Sequence, residues 1–256
     1  MPNLNASIRA SAGEIAYRRI RDDIVMGRLR PGLKLRLDHL TKTYDVSVST
    51  LREILGRLSS EKLVLAEGQK GFEVSPVSAD GLREIAALRQ VIENHAIEKS
   101  FAVGDLEWEG RVVAAHHKLA TLEARRRMND RSETEAWKRY DWQFHQALIS
   151  ACGSRTLIET HAAVFDKYLR YQMLSLGDRG EIAIREHRDL LECAMSRDAK
   201  RATLVLSKHI SGGVEHALVH GSLNNSPGDP ITIRGRTTRP AMSAEASAAV
   251  TAPEHS

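Results

Sequence analysis

Residues 17–78 read YRRIRDDIVMGRLRPGLKLRLDHLTKTYDVSVSTLREILGRLSSEKLVLAEGQKGFEVSPVS, and the order of patterns in this stretch decides the fold of the first third of the chain. From about Ser11 onward, Ala16, Ile20 and Ile24 recur at helical spacing. That helix is expected to stop at Arg30-Pro31-Gly32, where proline and glycine punctuate the chain. Asp38 is placed to cap a second, short helix, DHLTKTY, and Tyr44-Asp45-Val46 makes the turn after it. A third helix over roughly 48–61 sets Leu51, Leu55 and Leu58 on one face. Ser47 can cap it, and Thr50 with Glu53 also fits a capping box; the sequence does not choose between the two starts. After Lys62 the period shortens: Leu63-Val64-Leu65, a polar turn from Glu67 to Gly71, then Phe72-Glu73-Val74 read as a β-hairpin. Helix, helix, turn, helix and hairpin in this order predict a winged helix-turn-helix over residues 11–75, preceded by a flexible N-terminus, 1–10.

Beyond a linker at 76–79 the character changes. Residues 80–221 carry no convincing strand and read as six helices, near 79–103, 105–129, 133–152, 155–176, 180–196 and 199–220. Short breaks such as Gly104-Asp105, Gly153 and Arg197-Asp198 separate them, which predicts an antiparallel six-helix bundle. Residues 222–256 are rich in Ser, Pro, Ala and Thr and are expected to be a disordered tail. The fold class is mainly α.

Composition narrows the function classes. No apolar run approaches the ~20 residues that cross a bilayer, and MPNLNASIRASAGE lacks the apolar core of a secretory signal. The 2 cysteines, Cys152 and Cys193, are too few for a disulfide framework or a zinc finger. A cytoplasmic protein with no membrane partner is expected. The net charge of +4 is localised: residues 1–78 hold 13 Lys/Arg against 9 Asp/Glu, residues 79–222 hold 21 of each, and 223–256 hold 3 of each. A basic module joined to a neutral one suits phosphate binding.

In a helix-turn-helix the second helix lays its N-terminal residues against base edges in the major groove. Here Leu51 and Leu55 face inward, which leaves Ser47, Ser49, Thr50 and Arg52 toward DNA. Arg52 can fork onto guanine O6 and N7 or onto phosphate. Arg36 and Lys42 are placed to hold phosphates. Gln69 and Lys70 at the wing tip, beside Gly71, are expected in the neighbouring minor groove.

These residues resemble the DNA-binding domain of the GntR family of bacterial regulators from about Tyr17 to Ser78. The specific parts are G-R-L-x-P-G-x-x-L at 27–35, L-R-E at 51–53 and the wing. Relatives often carry Arg-Thr-Pro before V/L-R-E, where this chain has Val48-Ser49-Thr50. That departure shifts the expected base contact onto Arg52. The resemblance implies a homodimer that binds a palindromic double-stranded operator and acts as a repressor relieved by ligand.

In the bundle, Asp141 and His145 are four residues apart and share a helical face. His187 and His209 lie on the last two helices, where a hairpin brings them together. Three imidazoles and a carboxylate suit a divalent metal with a position left open. Spacing alone is a weak signal in a chain with 11 His. Residues 80–217, however, resemble the all-helical FCD ligand domain of the FadR-type branch of the same family. Members often bind metal through a D-x-x-x-H pair and two later histidines, and Asp141, His145, His187 and His209 match those positions. The resemblance implies zinc, nickel or manganese. His95, His116, His117, His161, His216 and His220 are expected to be surface or core residues, and Arg125-Arg126-Arg127 a solvated helix end.

Arg89, in an R-x-x-x-E element with Glu93, matches a position that in the family points into the ligand cavity. Arg170 is a second candidate for effector binding, with a salt bridge to a bundle glutamate as its alternative role. A guanidinium beside a metal suits a carboxylate. The Leu35-Arg36, Leu40-Thr41, Tyr44 and Leu51-Arg52-Glu53 arrangement, the Q-K-G wing tip and Ala151-Cys152-Gly153-Ser154 are similar to a group of carbon-starvation-induced, glutarate-responsive repressors in this family. The similarity implies a small organic acid, such as a dicarboxylate, as effector. The rival reading is a metal-dependent enzyme that uses the His3Asp site on a small carboxylate. It leaves the DNA-binding module unexplained.

Overall fold

A computed structural model describes residues 11–66, 71–128, 133–175 and 179–220. The expected flexible N-terminus 1–10, the tail 222–256 and the wing-tip residues Gln69 and Lys70 lie outside the described residues. In chain order the elements are α1 (Ala12–Val25), α2 (Leu37–Tyr44), α3 (Val48–Ser60), β1 (Val64–Ala66), β2 (Phe72–Val74), α4 (Ala79–Val103), α5 (Leu106–Arg127), α6 (Thr134–Ile149), α7 (Arg155–Ser175), α8 (Glu181–Ser196) and α9 (Ala199–His220).

The first three helices and the hairpin bury one apolar cluster that includes Ile20, Ile24, Leu40, Leu51, Leu55, Leu58 and Val74. Ser11 caps α1 by accepting from the Glu14 amide, and Ser47 caps α3 by accepting from the Thr50 amide. Each satisfies one of the amides a helix start leaves without a partner. Asp45 takes the left-handed conformation, φ 53°, that closes α2 and turns the chain into α3.

Three local expectations are corrected. Asp38 does not cap α2: the cap position is Arg36, without a side-chain bond, and Asp38 sits in the first turn. There its charge still complements the positive end of the helix dipole. Helix α1 ends at Val25, short of Pro31, because Gly27 adopts φ 73° and turns the chain away. The hairpin also gains a third, unforeseen partner. Leu35 donates its amide to the Phe72 carbonyl (2.8 Å) and Val74 donates to Leu33 (2.9 Å), so residues 32–35 run along β2.

The second body packs α4 against α6, α7 and α9, α5 against α6 and α8, and α8 against α9. Its core includes Ile97, Phe101, Trp108, Leu119, Phe144, Leu148, Leu190 and Leu206. Ser78 caps α4 and Asp105 caps α5. Between these helices Gly104 is required by contact: a Cβ there would meet the Trp108 ring at 2.5 Å.

The two bodies meet along α1, α6 and α7. Val25 and Met26 share a small apolar cluster with Phe165 and Leu169 of α7. Arg21 donates to Asp166 at 2.6 Å and to Glu61 at 2.9 Å, Arg139 donates to Asp22 at 2.9 Å, and Arg28 donates to Glu135 at 2.6 Å. Among the described residues no helix is long and apolar enough to cross a membrane.

Candidate metal centre

Helix α6 presents Asp141 and His145 from consecutive turns of its buried face, while α8 supplies His187 and α9 supplies His209. All four are buried, and one donor atom of each lies within 4.8 Å of the others. This is the quartet the sequence reading singled out.

The surroundings of the imidazoles define their protonation. His145 Nδ1 lies 2.9 Å from Glu93, His187 Nδ1 2.7 Å from Glu123, and His209 Nδ1 3.0 Å from Glu186. Each glutamate is placed to accept a proton from Nδ1, which favours the tautomer whose Nε2 lone pair faces inward. The Nε2 atoms of His145 and His187 and the Oδ1 of Asp141 are buried and have no hydrogen-bond partner among the described residues. His187 Nε2 stands 3.2 Å from Asp141 Oδ1, close enough for an ion pair but not aligned as a hydrogen bond. Two lone pairs facing each other in a buried site repel unless a proton or a cation lies between them.

The charge balance follows the same geometry. Burial alone would raise Asp141, but Lys138, 3.8 Å away, and the neighbouring His187 and His145 hold its carboxyl well below the usual range. Burial would lower His187, yet Asp141 and Glu123 outweigh it and push the imidazolium up to about 9. Burial keeps His145 and His209 neutral, His209 down to about 3. The Nε2 atoms of neutral His145 and His209, that of His187 once it gives up its extra proton, and one ionised carboxylate form a donor set that fits a divalent cation.

The glutamates that aim the ring nitrogens were missed at the sequence level. Glu93 is legible only as the partner of Arg89, and Glu186, though it adjoins His187 in the chain, carries no signal of its role. Glu123 carries no local signal, because its partner is 64 residues away. His161 is a core histidine, held by Glu93 at 2.7 Å and by Gln146 at 2.8 Å.

Neither arginine expected to meet an effector lines the small cavity beside the quartet. Arg89 is 1% exposed. It donates to Glu93 at 2.5 Å and lies over the Phe165 and Tyr168 rings, with Nη2 3.1 Å from His145 Nδ1. Burial would raise Glu93, but Arg89, His145 and His161 hold it well below the usual carboxylate range. Arg170 donates to the carbonyl of Ser75 rather than to a glutamate, and burial lowers it to about 10. The cavity has a volume of about 30 Å³, room for about two waters.

On the helix-turn-helix, Arg36, Lys42, Ser47, Ser49 and Arg52 are exposed, Thr50 is half-buried, and Gly71 is exposed at φ 93°. Ser47 Oγ lies 2.9 Å from Ser49 Oγ and 3.0 Å from Thr50 Oγ1, which orders the start of α3. Arg36 is paired with Asp38 at 3.3 Å.

Comparison with known proteins adds three findings. The profile of the bacterial regulatory proteins of the gntR family matches residues 13–74, and that of the FCD domain matches residues 84–212. The chain is 36% identical over 203 residues to the uncharacterized HTH-type transcriptional regulator BphR of Paraburkholderia xenovorans (strain LB400), covering 78% of this chain and 83% of that one. It is 32% identical over 203 residues to the HTH-type transcriptional repressor GlaR of Escherichia coli (strain K12), covering 76% and 90%. A crystal structure of a GntR regulator from Rhodococcus sp. RHA1 superposes with a TM-score of 0.68 at 22% identity, over 82% of this chain and 99% of that chain, which speaks to the fold alone.

Proposed function

Since the chain belongs to the GntR family of bacterial regulatory proteins and carries the FCD domain, and is thus a transcriptional regulator and not an enzyme, we propose that it is a metal-containing repressor released from its operator by a small organic acid. The observation that carries the sensing half is the inward-facing donor set of Asp141, His145, His187 and His209, with each Nδ1 held by a buried glutamate. These four residues would hold zinc, nickel or manganese. The ion would supply a Lewis-acidic centre that attracts a carboxylate.

A homodimer in the cytoplasm places two α3 helices about one DNA turn apart, ~34 Å, on a palindromic site. Ser47, Ser49, Thr50 and Arg52 meet base edges and nearby phosphates; Arg36 and Lys42 hold phosphates; Gln69, Lys70 and Gly71 form the wing contact. The name of the Escherichia coli relative, a repressor, supports the sign of regulation. Arg89 sets Glu93 and through it His145.

The test is a gel mobility shift of the full chain on the DNA upstream of its own gene, with and without small mono- and dicarboxylates. Retarded DNA that is released by an acid, and that is not released after chelation of the metal, is expected. Specific retardation that no acid alters would contradict the acid-responsive reading.

A further inference from the structure

The cavity beside the quartet is lined by two cations that the sequence reading did not single out. Lys138 lies one turn before Asp141 on α6, and Arg179 lies just before α8. The Lys138 ammonium is 2.6 Å from Gln172 Oε1, 3.8 Å from Asp141 and 4.1 Å above the Trp137 ring. Arg179 forks onto both oxygens of Glu186 at 2.7 and 2.9 Å and donates to the His209 carbonyl at 3.0 Å. It lies flat on α9 where Gly212 leaves room: a Cβ at 212 would stand 2.5 Å from its Cζ.

Arg179 also marks a boundary. Together with His216 it lines both the inner cavity, about 30 Å³, and an outer groove of about 400 Å³ that includes Ile182, Val219 and His220. The inner compartment has the size of a carboxylate, and the outer one is open and partly apolar. Charge argues the same way. Lys138 and Arg179 balance Asp141 and Glu186, so a divalent cation in the quartet, set against Glu123 behind His187, leaves an excess of one positive charge beside the cavity.

We infer that Lys138 and Arg179 clamp the carboxylate of the effector acid, with Arg179 at the neck between an inner compartment that takes the carboxylate and an outer groove that takes the rest of the molecule. The inference rests on the acid-responsive reading above. It replaces Arg89 and Arg170, neither of which lines this cavity.

The test is calorimetric titration of the metal-loaded full chain with acetate and with glutarate. Three forms are compared: wild type, Lys138→Gln, and Gly212→Ala, which puts a methyl group where the guanidinium lies and changes no charge. The wild type binds both acids, glutarate more tightly, and each variant weakens binding by about tenfold or more, the scale of one charge-assisted hydrogen bond, while metal content holds. Three results overturn the inference: wild-type affinity in both variants, no binding of either acid by the wild type at tens of millimolar, or loss of metal from both variants. Acid binding that depends on the clamp but leaves operator affinity unchanged in the wild type would keep the clamp and remove the regulatory reading.

Discussion

Arg139 of α6 donates a hydrogen bond to Asp22 of α1 at 2.9 Å, two residues from the candidate ligand Asp141. The helix that carries half of the quartet therefore touches the helix-turn-helix directly. Glu135 of the same helix receives Arg28. Phe165 packs against His145 on one side, with ring centroids 5.6 Å apart, and shares a cluster with Val25 and Met26 on the other.

This contact carries the first prediction. The two ion pairs are half-exposed, so each contributes no more than about 1 kcal/mol to stability. The double variant Arg28→Ala/Arg139→Ala is expected to keep its metal and its urea midpoint within that range. The ratio of operator Kd with and without acid, typically about 5- to 150-fold in coupled systems, should fall toward 1. An unchanged ratio would rule out this contact as the coupling element.

Glu123 gives the second. It touches no ligand position other than through His187, whose Nδ1 it holds at 2.7 Å. Glu123→Gln keeps the shape and removes the negative charge, so metal affinity should fall by about 10- to 100-fold with the helical circular dichroism unchanged. Competition against a chromogenic chelator measures it.

Proton linkage gives the third. Without metal, His187, held near 9 by Asp141 and Glu123 against burial, carries a second ring proton at pH 7; His145 and His209, lowered by burial, do not. A metal takes the lone pair of each imidazole, so binding at pH 7 should release about one proton per ion. Apparent affinity should rise about tenfold per pH unit up to about 9 and then level off. Calorimetry in buffers of different ionisation enthalpy counts the protons; zero or two would contradict the assignment.

Arg52 gives the fourth. It is exposed on the first turns of α3, and no hydrogen bond or ion pair engages it among the described residues. Arg52→Ala should weaken specific operator binding by about 1–3 kcal/mol and leave thermal stability unchanged. Specific binding equal to wild type would displace α3 as the reading helix.

The legibility of the chain varied with the range of the interactions. Helix limits in the bundle were readable because local features set them: Ser78 and Asp105 cap, and Arg197 takes the left-handed conformation at the end of α8. The end of α1 was misjudged because Pro31 is the stronger punctuation mark, while the chain turns on Gly27 at φ 73°. The strand partner at 32–35 was invisible, since its bonds run to residues nearly forty positions later. Asp141 and His145 share a face by spacing alone. What aims their neighbours does not: Glu123 reaches His187 from another helix, and only the packing of α5 on α8 brings them together. Arg89 shows the same limit. Its spacing to Glu93 was plain, but whether it faces the cavity or the core depends on Phe165 and Tyr168 of α7.

Elemental analysis of the full chain, purified without a histidine tag from medium containing zinc, nickel and manganese, tests whether Asp141, His145, His187 and His209 hold a divalent metal. About one equivalent of one metal per chain is expected in the wild type, with loss of it in His187→Ala but not in His161→Gln. Less than about a tenth of an equivalent in the wild type, for a site whose ligands are pre-set to bind tightly, would contradict it.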